Sequence, residues 1–162
     1  MKVTFTKTHA KGYSISMEDP SGGPARTEAA PGFDPRLPHD VAHFIVEDEL
    51  GIKGGIIGQM AAGGLFASRT AKDVKSRRKA KRRGEALFRE NKSDALLSEH
   101  AVYAAQSRWE KHEIIPDTKI PAADIARICE RFEDFARQWS ALPVGGSIEL
   151  EWKHDQRPAR KR

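Results

Sequence analysis

One stretch of mostly apolar residues, 39–47, constrains the fold more than any other part of the chain. On a helix that advances about 100° per residue, its polar side chains share one narrow stripe. They are His39, Asp40, His43 and Glu47. Apolar side chains cover the rest of the circumference, so we expect the helix to be buried on nearly every side. Ionisable groups on such a helix need partners, a metal ion or a chemical role.

The alternating segments of the chain predict a small sheet. Residues 2–8 and 12–18 alternate apolar and polar side chains, which is typical of a β-hairpin with one buried face. Residues 147–152 alternate in the same way and predict a strand that joins the hairpin. Residues 19–38 are rich in proline and glycine, and we expect an extended loop there.

About four helices are expected to cover one face of this antiparallel sheet, which gives an α+β fold. The clearest spans 122–141, where apolar residues recur every three or four positions between Pro121 and Pro143. The helix that carries the polar stripe should begin near Pro38 and end before Gly51. A further helix is predicted from Ser93 to about residue 112.

Two other segments allow more than one interpretation. Gly54, Gly58 and Ala62 are spaced four apart, and we favour close backbone packing over ligand binding as the reason. Residues 69–92 are strongly basic and predict either an exposed helix or a disordered loop.

Charge is spread unevenly along the 162 residues. The segment 69–92 has eleven Lys or Arg against three acidic residues, and the segment 153–162 has a net charge of +4. Because the whole chain carries +5, the remainder is acidic. A length of 162 residues predicts one domain, which we place over 1–152. The polar, basic residues 153–162 predict a disordered tail.

The compartment is predicted to be the cytoplasm. The single cysteine, Cys129, excludes an intrachain disulfide and fits a reducing environment. The N-terminal residues lack the apolar run of a secretory signal, and no apolar run is long enough to span a bilayer. We expect no membrane segment.

The two histidines of the stripe predict a metal site. His39 and His43 lie one helical turn apart, about 6 Å along the axis, so their rings can converge on one ion. Zinc peptidases use the same spacing in His-Glu-x-x-His, with the glutamate as general base. Here Asp40 takes the place of that glutamate and is one methylene shorter. Two imidazoles with a carboxylate suit zinc, and manganese, iron or nickel are alternatives.

The stripe alone does not complete a zinc site. Glu47 lies two turns from His39, about 12 Å along the axis, so we expect it to be a ligand only with distortion, or to orient His43. A third ligand must come from another segment, and Glu99, His100 and His9 are the candidates. If the protein is a metal-dependent hydrolase, the predicted catalytic carboxylates are Asp40 and Glu47.

The sequence is also compatible with functions other than metal binding. The stripe is also compatible with a metal-free pocket, with a structural polar seam, or with a groove that binds a protein partner in a non-catalytic scaffold. The basic segment predicts weak, non-specific contact with nucleic acid phosphates, although a solvated surface is the simpler interpretation. The residues that would make this contact are Arg77, Arg78, Lys79, Lys81, Arg82 and Arg83.

Two runs of sequence resemble a small bacterial family of uncharacterised proteins. Residues 37–51 read Leu-Pro-His-Asp-x-x-His-Phe-x-Val-Glu-x-x-Leu-Gly and are followed by Ala-Ala-Gly at 61–63. Residues 142–152 read Leu-Pro-x-Gly-Gly-Ser-x-Glu-Leu-x-Trp. The resemblance implies no activity. More loosely, the stripe is similar to the His-Asp-x-x-His…Glu zinc motif of a ubiquinone-biosynthesis scaffold family. The position of that later glutamate corresponds here to the neighbourhood of Gly54 and Gly55, so the match is partial.

Overall fold

A four-stranded sheet and five helices form the part of the chain that the computed structural model describes, residues 1–17, 26–29, 34–64, 74–112 and 118–154. The strands are β1 (Lys2–His9), β2 (Gly12–Met17), β3 (Arg26–Ala29) and β4 (Ser147–Glu151). The helices are α1 (His39–Leu50), α2 (Ile56–Ala61), α3 (Val74–Glu90), α4 (Lys92–Trp109) and α5 (Ala122–Ala141). The predicted α+β class is confirmed.

The sheet has the order β3-β2-β1-β4, and every neighbouring pair is antiparallel. The alternation of apolar and polar residues determines which residues of neighbouring strands lie opposite each other. Phe5 on β1 lies opposite Ile15 on β2 and Ile148 on β4, so apolar side chains share one face. Both the predicted hairpin and the addition of the C-terminal strand to it are confirmed.

One strand lies where the sequence predicted only an extended loop. β3 pairs with β2 through residues 26–29, inside the segment 19–38. Its sequence, Arg-Thr-Glu-Ala, has no alternation of apolar and polar residues, and it forms an edge of the sheet. The pattern of apolar residues therefore could not predict β3. Residues 18–25 and 30–33 of the predicted loop lie outside the described residues.

The apolar face of the sheet packs against α1 and α5. The ring of Phe5 makes edge contacts with Phe44 on α1 and Phe135 on α5, with ring centroids 6.1 Å apart in each case. Phe44 in turn contacts Trp152, 5.6 Å away, just after β4. α1 is thus surrounded, as its composition predicted, and every residue from Val41 to Glu47 is buried. α1 also packs against α4.

The ends of the two main helices follow the sequence closely. α1 starts after Pro38 and ends at Leu50, and its C-cap is Gly51, whose φ of 65° is the left-handed conformation that glycine adopts readily. α5 starts after Pro121 and ends before Leu142, and its apolar residues at helical spacing are buried in the core.

The five described helices include both α2 and the basic helix α3, in agreement with the expectation of about four. Two other details differ from what the sequence predicted. Asn91 rather than Ser93 is the N-cap of α4, which ends at Trp109. His154, expected in the tail, instead lies against α1, with Nε2 3.1 Å from the carbonyl oxygen of Asp48. Residues 155–162 lie outside the described part of the chain.

Within the described ranges, no helix combines the length and the apolar character that a bilayer crossing requires.

Candidate metal centre

The rings of His39 and His43 converge at the exposed end of α1. Their Nε2 atoms lie 3.1 Å apart, and the ring planes are nearly perpendicular. Two nitrogens that coordinate one zinc ion at about 2.0–2.1 Å are separated by roughly 2.8–3.4 Å for octahedral or tetrahedral angles. The observed separation fits this requirement. It also fits a hydrogen bond between the two rings in the absence of an ion.

Glu99 on α4 completes a group of three possible ligands. Its Oε2 atom lies 3.7 Å from Nε2 of His43. The three ligand atoms, one each from His39, His43 and Glu99, lie within 4.8 Å of one another, which is close enough to hold a metal ion. His43 is only 2% exposed, whereas the side chain of Glu99 is 52% exposed. The group therefore has one buried ligand and two ligands on its solvent side.

Small residues on α4 let it pack closely against α1. Its buried positions include Ala95, Ser98, Ala101, Val102, Ala104, Ala105 and Ser107. Because the distance between packed helices depends on the side chains at the contact, alanine and serine allow a close approach. This approach brings Glu99 within reach of a histidine on α1.

The other edge of the His43 ring faces the protein interior. Nδ1 of His43 lies 2.8 Å from the hydroxyl oxygen of Ser98, and that hydroxyl donates a 2.7 Å hydrogen bond to Oε1 of Glu47. Ser98 thus stands between the histidine and the carboxylate. Of the two roles predicted for Glu47, ligand or orienting group, its position favours the second.

Glu47 itself is held at the N-terminus of α2. Its two carboxylate oxygens accept hydrogen bonds from the backbone N–H groups of Ile56, Ile57 and Gly58, at 2.6, 3.0 and 3.1 Å. These donors have no partner inside their own helix, and the positive end of the helix dipole favours a negative charge there. The side chain of Glu47 is fully buried. The carboxylate therefore serves both to cap α2 and to orient Ser98.

Burial shifts the pKa values of both interior groups. Burial, reinforced by the nearby charge of His39, lowers the pKa of His43 to about 3, so the ring is neutral at physiological pH. Burial raises the pKa of Glu47 to about 7, while hydrogen bonds from Ser98 and the α2 backbone act in the opposite direction. A neutral imidazole is the form that binds a metal ion.

Asp40, a predicted catalytic residue, points toward the sheet. Its carboxylate accepts a hydrogen bond from the hydroxyl of Tyr13 on β2. Burial raises the pKa of Asp40, and the bond from Tyr13 and the charge of His39 oppose that shift. Both predicted catalytic carboxylates are engaged in hydrogen bonds inside the protein, Asp40 with Tyr13 and Glu47 with Ser98. Their catalytic roles stay predictions.

The other candidates for a third ligand lie outside the group. His9 accepts a hydrogen bond from the backbone of Lys11 at the turn of the hairpin, and His100 is exposed on α4. The sequence had named Glu99 as one possibility, and the structure brings Glu99 to the two histidines.

Ser98 is the residue at this site whose role the sequence analysis missed. A signal was present, because Ser98 is a polar residue among the small apolar ones on the buried face of α4. A buried hydroxyl is normally hydrogen-bonded, so its position implied a partner in the core. Only packing of α4 on α1 identifies that partner.

The basic residues of the segment 69–92 lie mostly on α3. Arg78, Lys79, Lys81, Arg82 and Arg83 are exposed. Lys81 pairs with Glu85 at 3.9 Å, and Arg83 donates a hydrogen bond to the carbonyl oxygen of Ala62. Arg77 lies on the same helix, and its side chain is outside the described part. A helix, one of the two predicted alternatives, thus forms over 74–90.

No protein-family model matches the chain, and no similar curated protein or solved structure was found. The resemblance to a bacterial family therefore stays a prediction.

Proposed function

We propose that this protein binds a divalent transition metal ion through His39, His43 and Glu99. The observation that supports the proposal is the 3.1 Å separation of the two Nε2 atoms, with Glu99 placed beside them. Glu99 and His39 lie at the surface, so small side-chain rotations can bring both to ligand distance. The buried ring of His43 is the fixed point of the site.

Zinc is the ion that we propose first. Two imidazole nitrogens and one carboxylate oxygen are typical zinc ligands, and three protein ligands leave a fourth position for water, as catalytic zinc sites do. Manganese, iron and nickel accept the same donors. The exposed side of the group lets water and a small substrate reach that position.

A hydrolytic reaction is the chemistry that such a centre would support, because zinc makes bound water a nucleophile near neutral pH. If such a centre forms, Asp40, next to His39 in the chain, would be the carboxylate that orients the water, and it would have to give up its bond with Tyr13 to do so. Glu47 helps to orient the ring of His43 from the edge opposite the metal group. It does so through Ser98, which contacts Nδ1 of His43 and donates a hydrogen bond to Glu47.

Calorimetric titration of zinc into the untagged, chelator-treated protein tests the proposal. We expect one site per chain. His43→Ala should weaken binding by more than the roughly 10–100-fold that loss of an orienting residue causes. Glu99→Ala should weaken it less, because an exposed carboxylate is replaced easily by water.

His100→Ala is the matched control for this titration. His100 is an exposed histidine that directly follows Glu99 on α4 and does not belong to the group. Its replacement should leave zinc binding unchanged. Absence of stoichiometric binding to the unaltered protein, or equal losses in His43→Ala and His100→Ala, would contradict the proposal.

A second candidate function is contact of α3 with nucleic acid phosphates. The observation that favours it is the run of exposed basic side chains on one helix, including Arg78 and Arg82 one turn apart. Binding of this kind is non-specific and falls steeply with salt.

Fluorescence anisotropy with a labelled DNA duplex tests this second function. We expect affinity to fall strongly between about 50 and 200 mM salt, and Arg78→Glu with Arg82→Glu to abolish binding. Arg137→Glu on α5, where the side chain is 73% exposed, is the matched control and should retain it. Binding that is insensitive to salt, or to the double substitution, would exclude this function.

A further inference from the structure

With Glu47 ionised, the hydrogen-bond donors on α2 and α4 set the direction of the bonds that lead from Glu47 to His43. The backbone N–H groups of Ile56, Ile57 and Gly58 can only donate, so the carboxylate of Glu47 accepts from all three. In its ionised form this carboxylate can only accept, so the hydroxyl of Ser98 donates its one proton to it. The hydrogen bonds from α2 and the hydrogen bond from Ser98 therefore all end on the carboxylate oxygens of Glu47.

The direction of the Ser98 bond determines where His43 carries its proton. Since the hydroxyl proton of Ser98 points to Glu47, the oxygen of Ser98 can only accept from His43. Nδ1 of His43 must then hold the hydrogen. A neutral imidazole has one N–H, so Nε2 is left with a free lone pair directed at His39 and Glu99.

We propose that Ser98 and Glu47 are positioning residues that hold His43 in the Nδ1–H tautomer and present its Nε2 atom to the metal ion. The proposal rests on the proposed metal-binding function. Metal-bound histidines commonly donate their second N–H to an orienting group, which fixes the ring and strengthens the ligand. Here that group is a serine backed by a carboxylate, and the carboxylate is fixed by the N-terminus of α2.

The rigidity of Glu47 makes this arrangement effective. Gly55 lies so close that a Cβ atom there would be 2.3 Å from the carboxyl carbon of Glu47. The carboxylate is thus enclosed by backbone and has little room to rotate. When no ion is bound, Nε2–H of His39 can donate to the free lone pair of His43. An ion would replace that proton between the two rings.

Nitrogen-15 NMR of the metal-free protein tests the tautomer directly. Two-bond correlations distinguish the protonated from the unprotonated ring nitrogen, and His43→Gln assigns the signals. We expect a single Nδ1–H form for His43 in the unaltered protein. A dominant Nε2–H form, as a protonated Glu47 would produce by reversing the bonds, would overturn the proposal.

Replacement of the bridging hydroxyl provides the second arm. In Ser98→Ala we expect His43 to become a mixture of tautomers and zinc binding to weaken by about 10–100-fold. Ser107→Ala is the matched control, because Ser107 is a buried serine on the same helix whose hydroxyl has no partner among the described residues. It should change neither the tautomer nor the affinity.

The two arms separate this proposal from the metal-binding function. If zinc binds the unaltered protein and binds Ser98→Ala equally well, the positioning role is wrong while the metal site stands. If zinc does not bind at all, the metal function fails, and the positioning proposal fails with it even where His43 is found as Nδ1–H. Should Ser98→Ala not fold, the tautomer of the unaltered protein still decides whether the bonds run in the direction inferred.

Discussion

Ser98 on α4 donates a hydrogen bond of 2.7 Å to Glu47 on α1, and both side chains are completely buried. The same carboxylate caps α2, while the oxygen of Ser98 contacts His43. One interior carboxylate thus connects the packing of three helices to the candidate metal group.

Glu47→Ala should destabilise the protein strongly. The substitution leaves the backbone N–H groups at the start of α2 and the hydroxyl of Ser98 without their acceptor. Since each buried donor left unpaired costs about 1–3 kcal/mol, we expect the free energy of unfolding to fall by at least about 3 kcal/mol. Urea denaturation followed by tryptophan fluorescence measures it. Glu99→Ala, at an exposed position, should change it by less than about 0.5 kcal/mol, and equal effects would contradict the account.

Gly58→Ala should destabilise the protein through a backbone clash. A Cβ atom at Gly58 would lie 2.0 Å from the carbonyl oxygen of Lys53, and a backbone carbonyl cannot move away easily. We expect a loss of about 1–3 kcal/mol in thermal or denaturant unfolding. Gly84→Ala is the control, because a Cβ atom on that residue of α3 would approach nothing closer than 3.5 Å. It should stabilise the helix by up to about 1 kcal/mol, and a harmless Gly58→Ala would refute the packing role.

Tyr13→Phe should reveal the strength of the bond between β2 and α1. The hydroxyl of Tyr13 donates to Asp40, whose carboxylate is partly buried. Its removal leaves that carboxylate without its donor and should cost about 1–2 kcal/mol in denaturant unfolding. Tyr103→Phe, where the ring is 61% exposed, should have no measurable effect. Similar stabilities of the two variants would show that the hydroxyl of Tyr13 contributes little.

Stability should decrease at acidic pH in part because of Glu49. Hydrogen bonds from Arg127 and Arg131 hold the pKa of Glu49 below its ordinary value of 4.5. A carboxyl with a lower pKa in the folded state contributes stability above the unfolded pKa and loses it as the pH falls through the folded pKa. Glu49→Gln should therefore cost up to about 1 kcal/mol at pH 7, since Arg127 is half exposed, and a smaller amount at pH 3.

Urea denaturation at the two pH values measures this difference. Glu130→Gln, at an exposed position on α5, is the control and should behave like the unaltered protein throughout. A Glu49→Gln effect that is the same at both pH values would show that the ion pairs do not stabilise the fold through this carboxylate.

Much of the fold was predictable because its signals are local. α1 and α5 have prolines and a glycine at their ends and apolar residues at helical spacing, and the sequence located both within a residue or two. β1, β2 and β4 alternate clearly because one face of each is buried. β3 lacks such a signal, and the strongly basic composition of α3 left both a helix and a disordered loop open.

The candidate site was predictable only in part. Two histidines one turn apart are a local pattern, and their convergence follows from helix geometry. The choice of Glu99 over His100 depends on how α4 lies on α1, and only packing determines this. The capping of α2 by Glu47 could not be predicted from the sequence either, because it depends on the path of the chain after Gly51.

The decisive measurement for the metal site is a crystal structure of the protein soaked with zinc, with anomalous diffraction recorded at the zinc edge. We expect one strong anomalous peak about 2.0–2.2 Å from Nε2 of His39, Nε2 of His43 and a carboxylate oxygen of Glu99. We also expect Nδ1 of His43 to keep its bond to Ser98. A peak at other residues only, or density that places the two imidazole rings apart with no ion between them, would contradict the proposed metal site.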